Sequence, residues 1–513
     1  MNSIHKKIIV ICWILRVVLS ARILGVYQVP SYSHFQLGDV LFKELARRGH
    51  DVTIISPYEE KEKTENFRTI VLTGAIEFYK NIRAGLIKRT SMHPLSIALW
   101  NEISWTNYAE YTLNHTNVQT LLKSNETFDL VIIEHLYNNA HKGFCFHYNA
   151  PCVITSSLAT SRFISRKTGN PSMPSYIPEP YQQIPFKMNF FQRCINFIAY
   201  FLGEASHHLL VTPQHDDLMR KYFPNAPSLT ELYYNISLIL INSHPSTNPV
   251  TPLLPNMIQI GGYHIKPTKK LPTELQQYLD NSSNGAILLS LGSNILAKDV
   301  PKAKLNEILN ALSRLKQNVL WKWDDETLPN VPPNVKISKW YPQNDVLAHP
   351  NIKLFITHCG LLSSVEAIHH GVPYISVPIF GDQFVNSLSA ETAGYSIIVP
   401  YNELNEEKLV QAVYDIFNNS KYSSNIKQIS KIMRDRPMEP LATAVYWIEY
   451  VLRNNGAYYL RSAALDLLWY QYMLFDVIAF FATITVFFTF LLWIVCKQLI
   501  CKLSSVAIKN KRD

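Results

Sequence analysis

The sequence predicts an α/β protein with two parallel-sheet domains, followed by one C-terminal transmembrane helix. Three observations predict it. Short apolar runs of strand type alternate with helical stretches in both halves of the 513 residues, the pattern of parallel sheets covered by helices. A glycine turn joins an apolar run to a helix between Lys353 and Gly371, and a turn of that kind aims free N–H groups and the positive end of the helix dipole at a docked anion. Val477 to Cys496 carries no charge, and about 20 apolar residues suffice to cross a bilayer.

In chain order, residues 1–21 read as a secretory signal. His5-Lys6-Lys7 is a basic start, Ile8 to Leu19 is apolar apart from Arg16, and Ser20-Ala21 offers small residues for cleavage. An uncleaved anchor is the alternative. The first domain, 22–266, opens with a βαβ unit: strand Ile23 to Tyr27, loop PSYSHF, helix Gln36 to Arg48 stopped by Gly49, strand Val52 to Ser56. It lacks G-x-G-x-x-G, so no dinucleotide site is expected. Asp129 to Glu134 and Cys152 to Ser156 are further strands. The aromatic, irregular stretch bearing Pro171, Pro174, Pro178 and Pro180 reads as loop-built, substrate-facing surface.

Residues 267–279 are the expected linker. The second domain, 280–456, repeats the alternation: strand Ala286 to Leu291, helix Lys302 to Lys316, then strands Val319 to Trp323, Val335 to Ser338, Lys353 to Thr357 and Tyr374 to Val377. A helix starting near Ser363 ends at Gly371, where a left-handed C-cap glycine belongs. A membrane-proximal segment (457–474), the span (475–496) and a tail (497–513) follow. Lys502, Lys509, Lys511 and Arg512 in the tail place it in the cytosol and the large domains in the lumen. Lysines third and fifth from the end, in KNKRD, resemble a dilysine retrieval signal of the endoplasmic reticulum membrane.

Hydrophobic residues make up 47% and charged residues 17%, with a formal net charge of +9. No basic run of five or six occurs, so nucleic-acid binding is not expected. Cys145, Cys152, Cys194 and Cys359 fall in the expected luminal part. They allow a bridge, but spacing does not choose the pair. Asn114, Asn125, Asn235, Asn281 and Asn418 each begin an N-x-S/T sequon, as on a secretory route.

The richest stretch is WYPQNDVLAHPNIKLFITHCGLLSSVEAIHHGVPYISVPIFGDQ, Trp340 to Gln383. It closely resembles the nucleotide-sugar signature of the UDP-glycosyltransferase family, matching in order at Trp340, Gln343, His358, Gly360, Glu366, Gly371, Pro373, Pro378, Asp382 and Gln383. The resemblance extends to SLGSN at Ser290 to Asn294, to GGYH at Gly261 to His264, to Arg436–Ala457 and to the C-terminal span. It implies the glycosyltransferase B fold, with two Rossmann-like domains.

The resemblance also assigns roles. Trp340 stacks on uracil, a contact worth about 1–3 kcal/mol, and Gln343 meets the base or ribose edge. His358, Gly360 and the Ser363-Ser364 turn meet the diphosphate, with Ser293 and Asn294 opposite. Glu366 binds ribose hydroxyls, although Ser363-x-x-Glu366 also reads as a capping box. Asp382 and Gln383 bind the sugar. His34 is the base that takes the acceptor proton, and Glu134, where the family carries Asp, orients it. Asp129 and His135 are lesser rivals.

Two departures stand out. Glu134 is one methylene longer than Asp. Cys359 replaces a common glycine, and its Cβ makes left-handed torsions costly. Either the turn does not need them or donor binding is weakened.

His207-His208 and His215-Asp216-Asp217 lack zinc spacing, and no D-x-D occurs for a Mg-diphosphate. No metal and no cofactor are therefore expected; the UDP-sugar is a co-substrate. The implied activity is inverting hexose transfer to a hydroxyl of a small lipophilic acceptor, as in xenobiotic or endobiotic conjugation, at the membrane and with no nucleic acid partner. Pro249 to Pro252 offers no Arg for a hexuronate carboxylate, which favours UDP-glucose over UDP-glucuronate. The alternative is an inactive luminal binding or partner subunit that keeps the fold, and homo- or hetero-oligomers are compatible with either reading.

Overall fold

The structure is a computed structural model that describes residues 20–60, 62–83, 94–159, 162–179, 184–325 and 328–509. The expected signal (its first 19 residues), Pro180 and all but Lys509 of the KNKRD tail lie outside these residues.

Seven parallel strands build the first sheet. They are β1 (Arg22–Val26), β2 (Asp51–Ser56), β3 (Phe67–Val71), β4 (Leu130–Glu134), β5 (Cys152–Ser156), β6 (Ile236–Ile241) and β7 (Met257–Gln259), in the order β3-β2-β1-β4-β5-β6-β7. The second sheet holds β8 (Ala286–Ser290), β9 (Asn318–Lys322), β10 (Val335–Ser338), β11 (Ile352–Thr357), β12 (Tyr374–Ser376) and β13 (Ser396–Ile398), all parallel, in the order β10-β9-β8-β11-β12-β13. Both sheets are of Rossmann type. Strands β3, β6, β7 and β13 add to those read from sequence.

Central strands such as β4 (LVIIE) and β6 (ISLILI) are buried along their whole length, because helices cover both faces of a parallel sheet. Alternate residues feed separate cores: Val131 and Ile133 join one, Leu130 and Ile132 the other.

Six helices matter below: α1 (Tyr32–Arg47), α2 (Phe190–Ser206), α3 (Leu361–His370), α4 (Gln383–Thr392), α5 (Pro440–Arg453) and α6 (Phe475–Lys509). Helix α1 starts four residues before the position expected from sequence. Ser31 takes extended torsions (φ −117°, ψ 132°) as its N-cap, and Phe35 and Leu37 bury against the sheet. His34 thus stands in the first helical turn and not in a loop. Helix α3 begins earlier too, with Gly360 as N-cap, so Ser363 and Glu366 do not form a capping box. Gly371 ends it in the left-handed conformation, φ 69°, as the spacing predicts.

Helix α5 belongs by sequence to the second half. Its apolar face, with Ala444, Val445, Ile448 and Val451, packs instead into the core of Leu41, Leu45, Leu238 and Leu240 beside the first sheet. Arg436, just before it, donates from Nη1 to the carbonyl of Gly261 at 2.8 Å.

Cys145 and Cys152 form a disulfide, which settles the pairing that spacing left open. All five sequon asparagines are exposed. Residues Arg461–Asp513 form a separate compact unit. Within it, Phe475–Leu503 is long and apolar enough to cross a membrane.

Candidate functional site

Each sheet reverses its strand order once, between β1 and β4 in the first and between β8 and β11 in the second. Open α/β sheets bind ligands at the carboxyl ends of strands at such points. His34 follows β1 and Glu134 ends β4; Gly292 to Asn294 follow β8, and His358 to Gly360 follow β11. Residues of both halves line one cavity of about 550 Å³. Of the site residues predicted from sequence, Glu134 and Ser364 do not line it; the rest do.

His34 and Glu134 form a pair. His34 Nδ1 lies 2.5 Å from Glu134 Oε1, so Glu reaches the ring despite its extra methylene. Glu134 is fully buried and accepts a further bond from Ser157 Oγ, just beyond β5. Burial works against protonating His34, but the Glu134 charge and hydrogen bond, with a smaller contribution from Asp382, outweigh it and raise the pKa above the ordinary 6.5. With Nδ1 engaged, Nε2 is the nitrogen left to serve the cavity. The influence of Asp382, at the start of α4, brings both halves onto one imidazole.

The rivals sit elsewhere. Asp129 Oδ2 accepts the Arg22 backbone N–H at 2.7 Å, at the far end of β4. Burial, then Lys142 and Lys167, holds the His135 pKa far below its usual value, and His135 does not line the cavity. Among the described residues no group of three or more His, Cys, Asp or Glu side chains is placed to hold a metal.

At the opposite end, His358 packs between two glycines. A Cβ on Gly292 or on Gly360 would come within 2.6 Å of His358 Nε2, so neither position accepts a side chain without moving the ring. Burial, then Lys322, pushes the His358 pKa down to about 4. It is neutral at physiological pH. Between it and Gly360, Cys359 adopts φ 63°: the turn does need left-handed torsions, and the cysteine bears them. Its buried thiol sits 3.4 Å from Ser364 Oγ. Ser364 turns inward, also donating to the Gly360 carbonyl at 3.2 Å, so its side chain is not presented to the cavity as the sequence suggests. Gly360, Leu361, Leu362 and Ser363 do line the cavity at the start of α3, where no side chain caps the helix.

Gln343 Nε2 donates to Glu366 Oε2 at 2.7 Å and to Ser363 Oγ at 3.1 Å. Burial pushes the Glu366 pKa up to about 7. Trp340 is 55% exposed, edge-on to Tyr32 of the first half at 5.4 Å. Asn294 Nδ2 reaches Ser31 Oγ across the cleft at 3.4 Å. Asp382 Oδ2 accepts from Asn386 Nδ2 at 2.7 Å. Gln383 Oε1 accepts from the N–H groups of Ile379 and Phe380 at 2.8 and 3.0 Å, which leaves its NH₂ group for a ligand.

The family model described as "UDP-glucoronosyl and UDP-glucosyl transferase" matches residues 26–512. The chain belongs to the UDP-glycosyltransferase family. It is 37% identical to UDP-glycosyltransferase UGT5 of Dactylopius coccus over 478 residues, covering 92% of this chain and 90% of that one. Against UDP-glucuronosyltransferase 2B33 of Macaca mulatta it is 30% identical over 504 residues, 94% of each chain. Among solved structures, the glycosyltransferase VinC in complex with DTDP has a TM-score of 0.57 at 17% identity, covering 84% of this chain and 100% of that one; the glycosyltransferase B fold is shared.

The transferase also holds site residues that motif reading passed over. Lys322, at the end of β9, donates to the Gly292 carbonyl at 2.6 Å and lies 5.3 Å from the centre of the Trp340 ring. It lines the cavity beside Gly292, and burial lowers its pKa from the ordinary lysine value. A lysine ending a strand in VLWK, next in the alternation to SLGSN, was the available signal. Ser157 had none, because its bond to Glu134 depends on the pairing of β4 with β5.

Proposed function

We propose that the transferase moves a hexose, glucose in preference to glucuronate, from UDP to a hydroxyl of a small lipophilic acceptor, with inversion and without a metal. The observation that carries this is the His34–Glu134 pair at the switch point of one sheet, facing the uncapped start of α3 and Asp382 across one cavity. His34 Nε2 takes the acceptor proton while Glu134 holds Nδ1–H and balances the imidazolium that forms. The acceptor oxygen attacks the anomeric carbon as its bond to UDP breaks. The N–H groups at the start of α3, with Lys322, Ser293 and Asn294, receive the growing negative charge on the diphosphate.

Trp340 would stack on the uracil, and Gln343 with Glu366 would hold the ribose edge. Asp382 and the Gln383 amide would meet the sugar hydroxyls. Among the described residues no arginine lines the cavity to meet a hexuronate carboxylate in a bidentate pair, which supports glucose. Pro249 to Pro252 are not part of the wall, so the missing Arg of that loop does not bear on the choice of sugar. The domain limits 22–266 and 280–456, and a single-pass arrangement in the endoplasmic reticulum membrane with both catalytic halves luminal, complete the proposal.

A panel of phenols and steroids incubated with UDP-glucose and with UDP-glucuronate tests it. Formation of the β-glucoside is the expected result. UDP binding with no product from any pair would instead identify a non-catalytic partner subunit.

A further inference from the structure

Helix α2 is built inside out. Its inward positions are polar and satisfied. Asn196 is fully buried, donates to the carbonyls of Pro174 and Ile177 at 2.7 and 2.8 Å, and accepts from the Glu179 N–H at 2.8 Å. Glu204, buried one helical face along, pairs with Arg162, itself bonded to Glu179 at 2.7 Å. The outward stripe is apolar. Phe191, Ile195, Ile198 and Leu202 are 76%, 52%, 57% and 57% exposed, at helical spacing on one side. Leu209 and Leu210, in the continuing turn, are 73% and 60% exposed.

A water-facing helix shows the reverse arrangement, and an unbroken apolar face of this length on a soluble domain marks a surface that meets something apolar. Three observations identify it as lipid. From 184 to 211 the only acidic residue is Glu204, which is buried, whereas Lys187 and Arg193 are exposed; that charge balance suits anionic headgroups. The exposed face is rich in Phe, Ile and Leu, as in helices lying in the membrane interface. The chain also carries α6, which is long and apolar enough to cross a membrane; anchored in that way, α2 would meet a bilayer at high effective concentration, where weak apolar contacts suffice.

We infer that α2 is a second membrane contact of this transferase, lying in the interfacial layer of the bilayer with Phe191, Ile195, Ile198 and Leu202 among the acyl chains. The first half of the molecule, which carries His34, would then be fixed at the lipid surface where lipophilic acceptors concentrate.

Cys194 makes the test direct, because it is a free, exposed thiol on this helix. The full chain, with Cys496→Ser and Cys501→Ser to remove the other exposed thiols, is labelled at Cys194 with bimane and placed in phosphatidylcholine–phosphatidylserine nanodiscs containing a doxyl-labelled lipid. Ser424→Cys in a Cys194→Ser background, labelled in the same way, gives a control at an exposed position of the second half. The expected result is quenching at Cys194 of about twofold or more, with none in the Ser424→Cys control beyond that of the free dye. Equal fluorescence at the two positions would overturn the inference. Cross-linking of two copies through Cys194 by a bismaleimide, without lipid quenching, would also overturn it and assign the face to a second copy.

Discussion

His34 Nδ1 stands 2.5 Å from Glu134 Oε1, across the crevice between β1 and β4. The ring is held in one orientation by a buried carboxylate, and its free nitrogen serves a cavity shared with Asp382. Removing the ring should remove the chemistry and spare the donor pocket. His34→Ala is expected to lower turnover by at least about a hundredfold with UDP affinity nearly unchanged by calorimetry. Wild-type turnover in this variant would exclude His34 as the base.

Glu134→Gln should reduce kcat by about a hundredfold or more, and Asp129→Asn should leave kcat intact, since Asp129 only anchors the Arg22 backbone. The pH profile separates orientation from mere stability. The base works only when Nε2 is unprotonated, and its pKa is raised above 6.5, with Glu134 the main cause of the rise. kcat/KM should therefore fall as pH drops through that raised value. In Glu134→Gln the residual acid limb should move to lower pH. An unmoved limb would show that Glu134 does not set the protonation of His34.

Cys359 sits at φ 63° with its thiol buried. Cys359→Gly relieves about 1 kcal/mol of left-handed strain but gives up about 1 kcal/mol of burial, so Tm should shift by only a few degrees and UDP affinity should hold. Cys359→Val adds a β-branch at the same torsions and should cost about 1–3 kcal/mol. Thermal melts of the two variants check this; a Val variant as stable as the Gly variant would show that the turn relaxes freely.

With any accepted phenol, UDP-glucose should outperform UDP-glucuronate. A hexuronate carboxylate left without a cation loses several kcal/mol, and about 2.7 kcal/mol of that is a hundredfold in kcat/KM. Lys266 and His264 line the same cavity. Equal or better rates with UDP-glucuronate would show that one of them meets the carboxylate.

An epitope placed after Asp513 should react with antibody in cells whose plasma membrane alone is permeabilised. Reaction only after the reticulum is opened would reverse the proposed topology.

The sequence by itself determined the family, the two-sheet class and the donor motif, because these rest on local signals. Apolar runs of strand length, a glycine after a helix and a fixed order of Trp340, His358, Glu366 and Asp382 need no knowledge of distant contacts. Gly371 behaves as its spacing predicts. The turn at Cys359 could be posed as a question but not answered, since a φ angle belongs to the packed backbone. Whether Ser364 faces ligand or core depended on where α3 starts, which Gly360 decides by only three residues. Tertiary structure alone paired Cys145 with Cys152, joined Ser157 to Glu134, carried α5 across to the first sheet and turned the apolar side of α2 outward. Each of these joins residues or surfaces that strand order and helix docking bring together, and periodicity along one element cannot say which of its faces will meet them.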